Sequence, residues 1–188
     1  MKTLYIISGA NGSGKTTFAK EFSKLNNLYF INADEIAKEL DSENITKYKI
    51  KAGKIFFSEF NNRLSLDKSF VIETTLSGKY LIEYIQKAKE LHYKVSLIYL
   101  FLENPQTNIS RVKNRVLNGG HHIPQDDIIR RYYRSKYMFW NIYKDLSDEW
   151  NIFYNSDEVF EEIANNDAIL DTAKYNEFLK DVNANTND

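Results

Sequence analysis

One stretch near the start of the chain constrains the fold more than any other. It reads Gly9-Ala10-Asn11-Gly12-Ser13-Gly14-Lys15-Thr16 and fits the pattern G-x-x-x-x-G-K-[ST] at every specified position. An apolar, β-rich run at 3–8 precedes it, and the segment 17–22 has the composition of a helix. In that strand–loop–helix setting the pattern is a P-loop, whose backbone amides and following helix start bind phosphate oxygens. The chain is therefore expected to bind a nucleoside triphosphate.

The side chains of the P-loop have separate predicted roles. Lys15 is expected to reach the β- and γ-phosphates, and the Thr16 hydroxyl is expected to bind Mg²⁺. The alternative is a glycine turn that binds nothing, which the correct flanking segments disfavour. The predicted nucleotide-binding residues are Gly9, Ala10, Asn11, Gly12, Ser13, Gly14, Lys15, Thr16 and Thr17.

Composition limits the remaining classes. A chain of 188 residues is long enough for one domain with a substantial core, which we place at 1–182, and the polar segment 183–188 is expected to be a disordered tail. The absence of cysteine excludes disulfides, cysteine-bound zinc and thiol catalysis. A net charge of −1 argues against broad electrostatic binding of nucleic acid. No secretory signal and no membrane-spanning run is evident, so the expected location is the cytoplasm.

Apolar runs alternate with helical patterns along the chain, which predicts an α/β fold. Five such runs indicate a parallel sheet with helices on both faces, hence three layers. The strands are predicted at 3–8, 28–31, 69–72, 94–102 and 150–154. Helices are predicted from the P-loop to about 25–27, at 36–40, 43–67 and 81–91, on both sides of a bend near 119–124, and at 157–164 and 167–182.

Acidic residues follow two of the predicted strands. Asp34 comes after the second strand, and Glu73 comes after the third, followed by Thr74 and Thr75. Because ligands of open α/β sheets lie beyond the carboxyl ends of the strands, these are candidate site residues, and Glu73 could hold Mg²⁺ through water or contact an acceptor. The alternatives are an acidic pair, Asp34 with Glu35, that favours a helix dipole, and a turn in which Glu73 binds nearby amides.

A second informative segment, about 107–137, lies between the fourth and fifth predicted strands. Arg111 and Arg115 are four residues apart and share one helix face, Gly119-Gly120 ends that helix, and Pro124 begins another. A helix–loop–helix with arginines on both arms is typical of a lid that neutralises charge on a transferring phosphoryl group. The predicted catalytic arginines of this lid are Arg115, Arg130 and Arg131.

Other interpretations of this segment stay open. Arg130 and Arg134 could pair with the aspartates that precede them and lie on a solvated surface. Tyrosines interleaved with basic residues would also suit RNA binding. His121 and His122 are interpreted as hydrogen-bonding loop residues rather than metal ligands, because no third ligand is evident nearby.

The long helix predicted at 43–67 carries a cluster of lysines at positions 47, 49, 51 and 54. They lie mostly off the apolar stripe that Tyr48, Ala52 and Phe56 help to form. The cluster is therefore interpreted as a solvated face rather than a binding site.

Taken together and in this order, four blocks resemble the zeta-toxin family of P-loop kinases, in the branch often described as predicted ATPases. The blocks are the P-loop, Asn32-Ala33-Asp34, Glu73-Thr74-Thr75-Leu76-Ser77 and the segment from Arg115 to Tyr132, and the resemblance covers about residues 1–156. It implies an NMP-kinase-like fold with a helical lid, and phosphorylation of UDP-N-acetylglucosamine with ATP or GTP.

The resemblance also assigns roles by matching position. Asp34 would be the base that accepts the sugar hydroxyl proton, and Lys15 with the lid arginines would stabilise the transferring phosphoryl group. Glu73, with Thr74 and Thr75, would face the acceptor. An antitoxin partner is implied only by this resemblance.

These observations predict a kinase that uses ATP or GTP with Mg²⁺ to phosphorylate a hydroxyl group of a small acceptor. Two other classes stay open: an ATPase or switch that acts on a partner, and a kinase for nucleic-acid ends. The first class would be supported by a strand that ends in an aspartate and is followed by a water-activating residue. The sequence contains no clear strand of this kind. The near-neutral charge speaks against the second.

Overall fold

Helices and strands alternate along most of the chain in a computed structural model, which describes residues 1–42, 45–120, 122–156 and 159–184. The strands are β1 (Thr3–Ser8), β2 (Tyr29–Asn32), β3 (Phe70–Thr74), β4 (Lys94–Phe101), β5 (Glu149–Ser156) and β6 (Val159–Asn165). The helices are α1 (Lys15–Leu25), α2 (Ala33–Leu40), α3 (Ile45–Ser65), α4 (Ile82–Glu90), α5 (Pro105–Leu117), α6 (Gln125–Met138), α7 (Lys144–Leu146) and α8 (Thr172–Asn183), with a π-helical turn at Phe139–Tyr143.

The strands form one sheet in the order β2-β3-β1-β4-β5-β6. The pairs β2–β3, β3–β1, β1–β4 and β4–β5 are all parallel, whereas β6 is antiparallel to β5. The predicted α/β fold with five parallel strands is confirmed, and a sixth strand is added at one edge. That strand occupies most of 157–164, where a helix was predicted, so this prediction is wrong; residues 157 and 158 themselves lie outside the described residues.

An irregularity in β6 explains why its sequence resembles a helix. Phe160, Ile163 and Ala164 are spaced three and four apart, as on one face of a helix. In the structure, Ile152 of β5 lies opposite Ala164, but the next residue, Phe153, lies opposite Glu162. Ile163 is therefore the extra residue of a β-bulge, and it shifts the two-residue alternation that would otherwise mark a strand.

The two faces of the sheet are covered by different helices. Along β1, Leu4 and Ile6 pack into a large cluster with side chains of α3, α4 and α8, such as Phe178. The intervening residues, Tyr5 and Ile7, pack into a second cluster with α1. Because successive side chains of a strand point to opposite faces, β1 contributes to both layers. The predicted arrangement of three layers is confirmed.

The carboxyl ends of β1, β2 and β3 lie side by side. Asn32 of β2 pairs in register with Glu73 of β3, and Ser8 of β1 pairs with Thr74. Glu73 and Thr74 are thus the last residues of β3 and are buried, rather than following the strand as predicted. The register brings the P-loop, the start of α2 and Glu73 to one edge of the sheet.

The bend between α5 and α6 has the predicted glycine end. Gly119 has a φ of +82° and its amide donates to Val116 O over 3.0 Å, while the Gly120 amide donates to Arg115 O over 2.9 Å. These two bonds form a Schellman motif, which a residue without Cβ at position 119 favours. Helix α6 then begins directly after Pro124, as predicted. His121 lies outside the described residues.

A buried ion pair attaches α6 to the C-terminal helix. The Lys136 side chain is 1% exposed, and its Nζ lies 2.6 Å from Asp181 Oδ2. The Tyr132 hydroxyl, 2.8 Å away, donates to the same carboxylate oxygen. Burial lowers the pKa of Lys136 to about 8, although Asp181 opposes that shift. This cluster joins the second arm of the predicted lid to α8.

Two predictions concern the C-terminal end of the chain. The helix predicted at 167–182 begins later, at Thr172, because Asp171 caps it by accepting from the Lys174 amide over 3.0 Å. Of the predicted tail, 185–188 lie outside the described residues. Within the described ranges, no helix has both the length and the apolar character that crossing a bilayer requires.

Asp181→Asn is expected to reduce the free energy of unfolding by about 3 kcal/mol, because it leaves the Lys136 ammonium buried without its counter-charge. Lys136→Met removes the buried charge and keeps most of the volume, so it should cost less than about 1.5 kcal/mol. Urea denaturation of both variants at neutral pH measures the two losses. Equal losses would contradict a dominant cost from the unpaired ammonium.

Candidate active site

Two cavities meet at Lys15. The P-loop groove, of about 670 Å³, is lined by the predicted residues Gly12, Gly14, Lys15, Thr16, Thr17 and Arg115. The inner cavity, of about 420 Å³, is lined by the predicted residues Asn11, Lys15, Asp34, Glu73, Thr74, Thr75 and Arg131. Gly9, Ala10 and Ser13 complete the loop without lining either cavity. The structure thus divides the predicted residues between two adjoining spaces, with the Lys15 side chain between them.

The shape of the P-loop requires glycine at two positions. Gly14, the residue before α1, has a φ of +88°, and a Cβ there would lie 2.2 Å from Asn155 Nδ2. At Gly9, with a φ of +145°, a Cβ would lie 2.2 Å from the Leu100 carbonyl oxygen. Side chains other than hydrogen would therefore both strain the backbone and collide with the sheet. The start of α1, with its partial positive charge, opens into the groove.

Side chains from other elements hold the P-loop from outside. Asn108 of α5 donates from Nδ2 to Asn11 O over 2.7 Å, and Asn155 at the end of β5 donates to Ser13 O over 2.9 Å. Arg131 of α6 donates to Asn11 Oδ1 over 3.0 Å. Sequence reasoning missed both asparagines as functional residues, although Asn155 comes directly at a predicted strand end. The loop is thereby tied to the two lid helices and to β5.

The Glu73 carboxylate lies at the centre of the site. Thr16 Oγ1 donates to Glu73 Oε1 over 2.9 Å, and Lys15 Nζ lies 3.6 Å from the same oxygen. Asn32 Nδ2 donates to Oε2. Burial raises the pKa of the Glu73 carboxyl above its usual range, against the opposing effects of Lys15, Thr16 and Asn32. Glu73 lies in a strand, so the predicted turn role does not apply to it. Its contacts with Lys15 and Thr16 instead fit a role at the P-loop.

Asn32 also positions Asp34. Its Oδ1 accepts from the Asp34 amide over 2.7 Å and from the Glu35 amide over 3.2 Å, so Asn32 is the N-cap of α2. The Asp34 side chain is exposed and lines the inner cavity. The Glu35 side chain instead pairs with Lys20 of α1. The acidic pair therefore begins a helix, as one interpretation held, and also presents one carboxylate to the cavity, as the other held.

The structure brings two of the three predicted arginines to the site. Arg115 lines the P-loop groove and Arg131 lines the inner cavity. Arg130 lines neither of these two cavities: its side chain is 56% exposed and its NH2 lies 2.6 Å from Asp127 Oδ1. Arg111, one turn before Arg115, lines the groove as well. Arg130 thus lies on the surface, as the surface interpretation held, whereas Arg111, Arg115 and Arg131 border the two cavities.

One wall of the inner cavity comes from α3. Lys49, Gly53 and Phe57 lie along it, and Tyr80 lines the cavity from the segment after β3. Lys49 is exposed, as the interpretation of the α3 lysines as a solvated face held, and it also borders the inner cavity. The spacing of Lys49, Gly53 and Phe57 places them on one face of the helix. The sequence alone does not show which part of the molecule that face borders.

The residues of the groove fit a nucleoside triphosphate with Mg²⁺. The loop admits no Cβ where phosphate oxygens must approach the backbone, and the Lys15 ammonium borders the groove. A hydroxyl, Thr16 Oγ1, and a carboxylate, Glu73 Oε1, lie in contact. Oxygen donors of this kind are those that Mg²⁺ prefers in proteins.

The sequence has a family match and a relative in a bacterium. Residues 4–136 match AAA_33, described as an AAA domain. A protein of Haemophilus influenzae (strain ATCC 51907 / DSM 11121 / KW20 / Rd), described only as an uncharacterized protein, is 34% identical over 124 residues, which are 66% of this chain and 88% of that protein.

The fold is similar to that of solved structures from other proteins. A chain from the PezAT chromosomal toxin–antitoxin system of Streptococcus pneumoniae superposes with a TM-score of 0.67 at 19% identity, over 88% of this chain and 72% of that one. A chain of the AvrRxo1-ORF1:AvrRxo1-ORF2 complex with ATP gives 0.76 at 17% identity, over 100% of this chain and 66% of that one. The chain therefore has a P-loop kinase-like fold.

Asn155→Ala is expected to weaken ATP binding about tenfold, because the Ser13 carbonyl loses its donor and the P-loop is held less firmly. Asn62→Ala, an exposed position on α3, is the matched control and should leave the affinity unchanged. Isothermal titration of both variants with ATP and Mg²⁺ makes the comparison. Unchanged affinity in Asn155→Ala would show that the loop keeps its shape without this bond.

Proposed function

This chain belongs to the AAA_33 family of AAA domains, and we propose that it is a kinase that transfers the γ-phosphate of ATP, or of GTP, to a hydroxyl group of a small acceptor. The observation that carries the proposal is the meeting of two cavities at Lys15. The P-loop groove takes the nucleotide, and the inner cavity takes the acceptor. Lys15 would then lie where the two bound molecules meet, and the phosphoryl group would be transferred beside its ammonium.

The nucleotide side of the site holds the phosphates. The backbone of the P-loop and the Lys15 ammonium bind the β- and γ-phosphates, and the Thr16 hydroxyl with the Glu73 carboxylate would hold Mg²⁺. When bound, the cation supplies charge neutralisation at the phosphate oxygens. Its positive charge would also favour the ionised form of Glu73, whose carboxyl burial otherwise keeps protonated to a higher pH.

Asp34 is the better of the two carboxylates for the acceptor hydroxyl. Glu73 is buried and already accepts from Thr16 and Asn32, so its oxygens are engaged. The Asp34 side chain is exposed to the inner cavity and stands on a helix start that Asn32 holds in place. Asp34 would orient the hydroxyl and accept its proton as the oxygen bonds to phosphorus.

The two lid arginines line different cavities. Arg115 borders the nucleotide and Arg131 borders the acceptor. Because the transition state of phosphoryl transfer is loose, charge on its oxygens is stabilised mainly by such fixed cations. Arg131 also donates a hydrogen bond to Asn11 of the P-loop. The position of its guanidinium therefore depends on the conformation of that loop.

The finer parts of the proposal rest on resemblance. A sugar nucleotide such as UDP-N-acetylglucosamine as acceptor is supported by the zeta-toxin-like motifs. An antitoxin as protein partner is supported by the same motifs and by the likeness to a chain from a toxin–antitoxin system. One domain at 1–182, a lid at about 107–137 and a cytoplasmic location belong to the same proposal.

Incubation of the protein with γ-labelled ATP and a panel of UDP-sugars, nucleosides and small-molecule extracts tests the proposal. A labelled small molecule is the expected result. Label found only in inorganic phosphate would instead favour an ATPase, and label on added RNA ends would favour a nucleic-acid-end kinase.

Asp34→Asn is expected to abolish acceptor phosphorylation while nucleotide binding stays nearly intact, since Asp34 lines only the inner cavity of the two. Glu35→Gln is the matched control, because its side chain faces Lys20 of α1. Labelled-product formation and ATP titration are measured for both variants. Unchanged phosphorylation by Asp34→Asn would remove Asp34 from the role of base.

Arg131→Ala is expected to lower kcat about 100-fold or more, with a smaller loss of ATP affinity, because the guanidinium acts mainly on charge that develops in the transition state. Arg130→Ala changes the adjacent, exposed arginine and should stay within about threefold of the wild type. Steady-state kinetics with the labelled acceptor separate kcat from KM. Similar losses in both variants would assign them a shared electrostatic effect.

A further inference from the structure

A glycine lies within α3 where the helix borders the inner cavity. Gly53 lies near the middle of this 21-residue helix, a place where glycine is less favourable than alanine. A Cβ built on Gly53 meets no atom within 4 Å, so packing does not require the small residue. Gly53 is also absent from the residues with positive φ. Neither sterics nor backbone conformation requires glycine at this position, and the residue lines the inner cavity.

Lys49 lies one helical turn before Gly53, and Phe57 lies one turn after it, so the three share a face. All three line the inner cavity, with Arg131 and Tyr80 on other walls. Lys49 also lies near the start of α6: the pKa of Asp127 is lowered chiefly by the hydrogen bond from Arg130, and to a smaller extent by Arg131 and Lys49. Two cations therefore border the cavity from α3 and from α6.

In the part of the chain that the structure describes, neither of these two cations is held in a salt bridge, and the Asp127 carboxylate acts on them only at longer range. Among the described residues, no carboxylate lies within salt-bridge distance of Lys49 or Arg131. Arg131 makes a hydrogen bond to a neutral amide oxygen of Asn11. By contrast, the third cation of the cavity, Lys15, lies 3.6 Å from Glu73. The gap at Gly53 gives a ligand in the cavity a path along α3 to the Lys49 ammonium.

We propose that Lys49 and Gly53 determine acceptor specificity, and that the acceptor carries an anionic group in addition to the hydroxyl that is phosphorylated. Lys49 and Arg131 bind this group, carboxylate or phosphate, and Gly53 leaves the room through which it reaches them. Arg131 thereby contacts the acceptor as well as the transferring phosphoryl group. This inference rests on the proposed kinase function and adds the residues that bind the charged part of its acceptor.

The first test identifies the charge of the acceptor. Wild-type protein is incubated with γ-labelled ATP and a small-molecule extract, and each labelled product is analysed by mass spectrometry. The expected product contains an acidic group besides the transferred phosphate, and its formula distinguishes a carboxylate from a phosphate. A labelled product from an uncharged acceptor would overturn the inference and leave the kinase proposal standing. Absence of any labelled product would overturn the kinase proposal, and this inference with it.

The second test uses variants of the α3 wall with the acceptor so identified. Lys49→Gln is expected to raise the acceptor KM at least tenfold, and Lys49→Arg should restore most of the affinity because it keeps the charge. Lys51→Gln, an exposed lysine of the same helix, is the matched control and should have the wild-type KM. Equal KM values for Lys49→Gln and Lys51→Gln would remove Lys49 from the acceptor site.

The Gly53 series gives a readout that a merely structural role would not produce. Gly53→Ala should raise Tm by about 2–4 °C, because alanine favours the helix and its Cβ meets no atom. The same change should raise the acceptor KM, and Gly53→Leu should raise it further, because each added carbon narrows the cavity. Higher stability with weaker acceptor binding is the expected pair of results. A Gly53→Leu variant with the wild-type acceptor KM would overturn the proposed role of the gap.

Discussion

The buried Glu73 carboxylate is the interaction on which the rest of the site depends. It is the penultimate residue of β3, which lies between the strand that leads into the P-loop and the strand that leads into α2. Thr16 and Lys15 contact it from the P-loop side, and Asn32 contacts it from the β2 side. A buried carboxylate is costly unless its oxygens are satisfied, so these contacts lock the relative positions of the groups around it. Residues that border the P-loop groove and residues that border the inner cavity are thereby held by one carboxylate.

Helices α5 and α6 are also anchored to the rest of the molecule. Asn108 at the start of α5 is fully buried and bonds the P-loop, and Lys136 near the end of α6 is buried against α8. The start of α5 and the end of α6 are therefore anchored. The middle portion of the helix–loop–helix consists of the end of α5, the bend that Gly119 begins and the start of α6. Arg115 and Arg131 extend from this middle portion toward the two cavities.

Local patterns were sufficient for much of this architecture. The P-loop, the five parallel strands and the glycine end of α5 follow from spacing and turn chemistry that a few adjacent residues contain. The sixth strand did not, because the bulge at Ile163 gives a strand the spacing of a helix. Helix spacing also could not separate Arg130 from Arg131: neighbouring residues on a helix point about 100° apart, and only packing decides which one meets the cavity.

Contacts between distant segments were the least predictable part of the site. Asn108 and Asn155 bind loop residues 97 and 142 positions away, and nothing in their local sequence identifies a partner. Lys49 looks like one of several surface lysines until α3 is placed against the cavity. Such residues become visible only when the fold is known, because their roles depend on tertiary packing rather than on propensity.

The central claim is that the γ-phosphate crosses from one cavity to the other without meeting water. The most direct measurement is the fate of that phosphate when ATP and a small-molecule extract are incubated with the protein in ¹⁸O-labelled water. The account predicts a phosphate ester of a small molecule whose phosphoryl oxygens carry no solvent label. Inorganic phosphate carrying one solvent oxygen as the sole product would contradict it, because water would then be the acceptor.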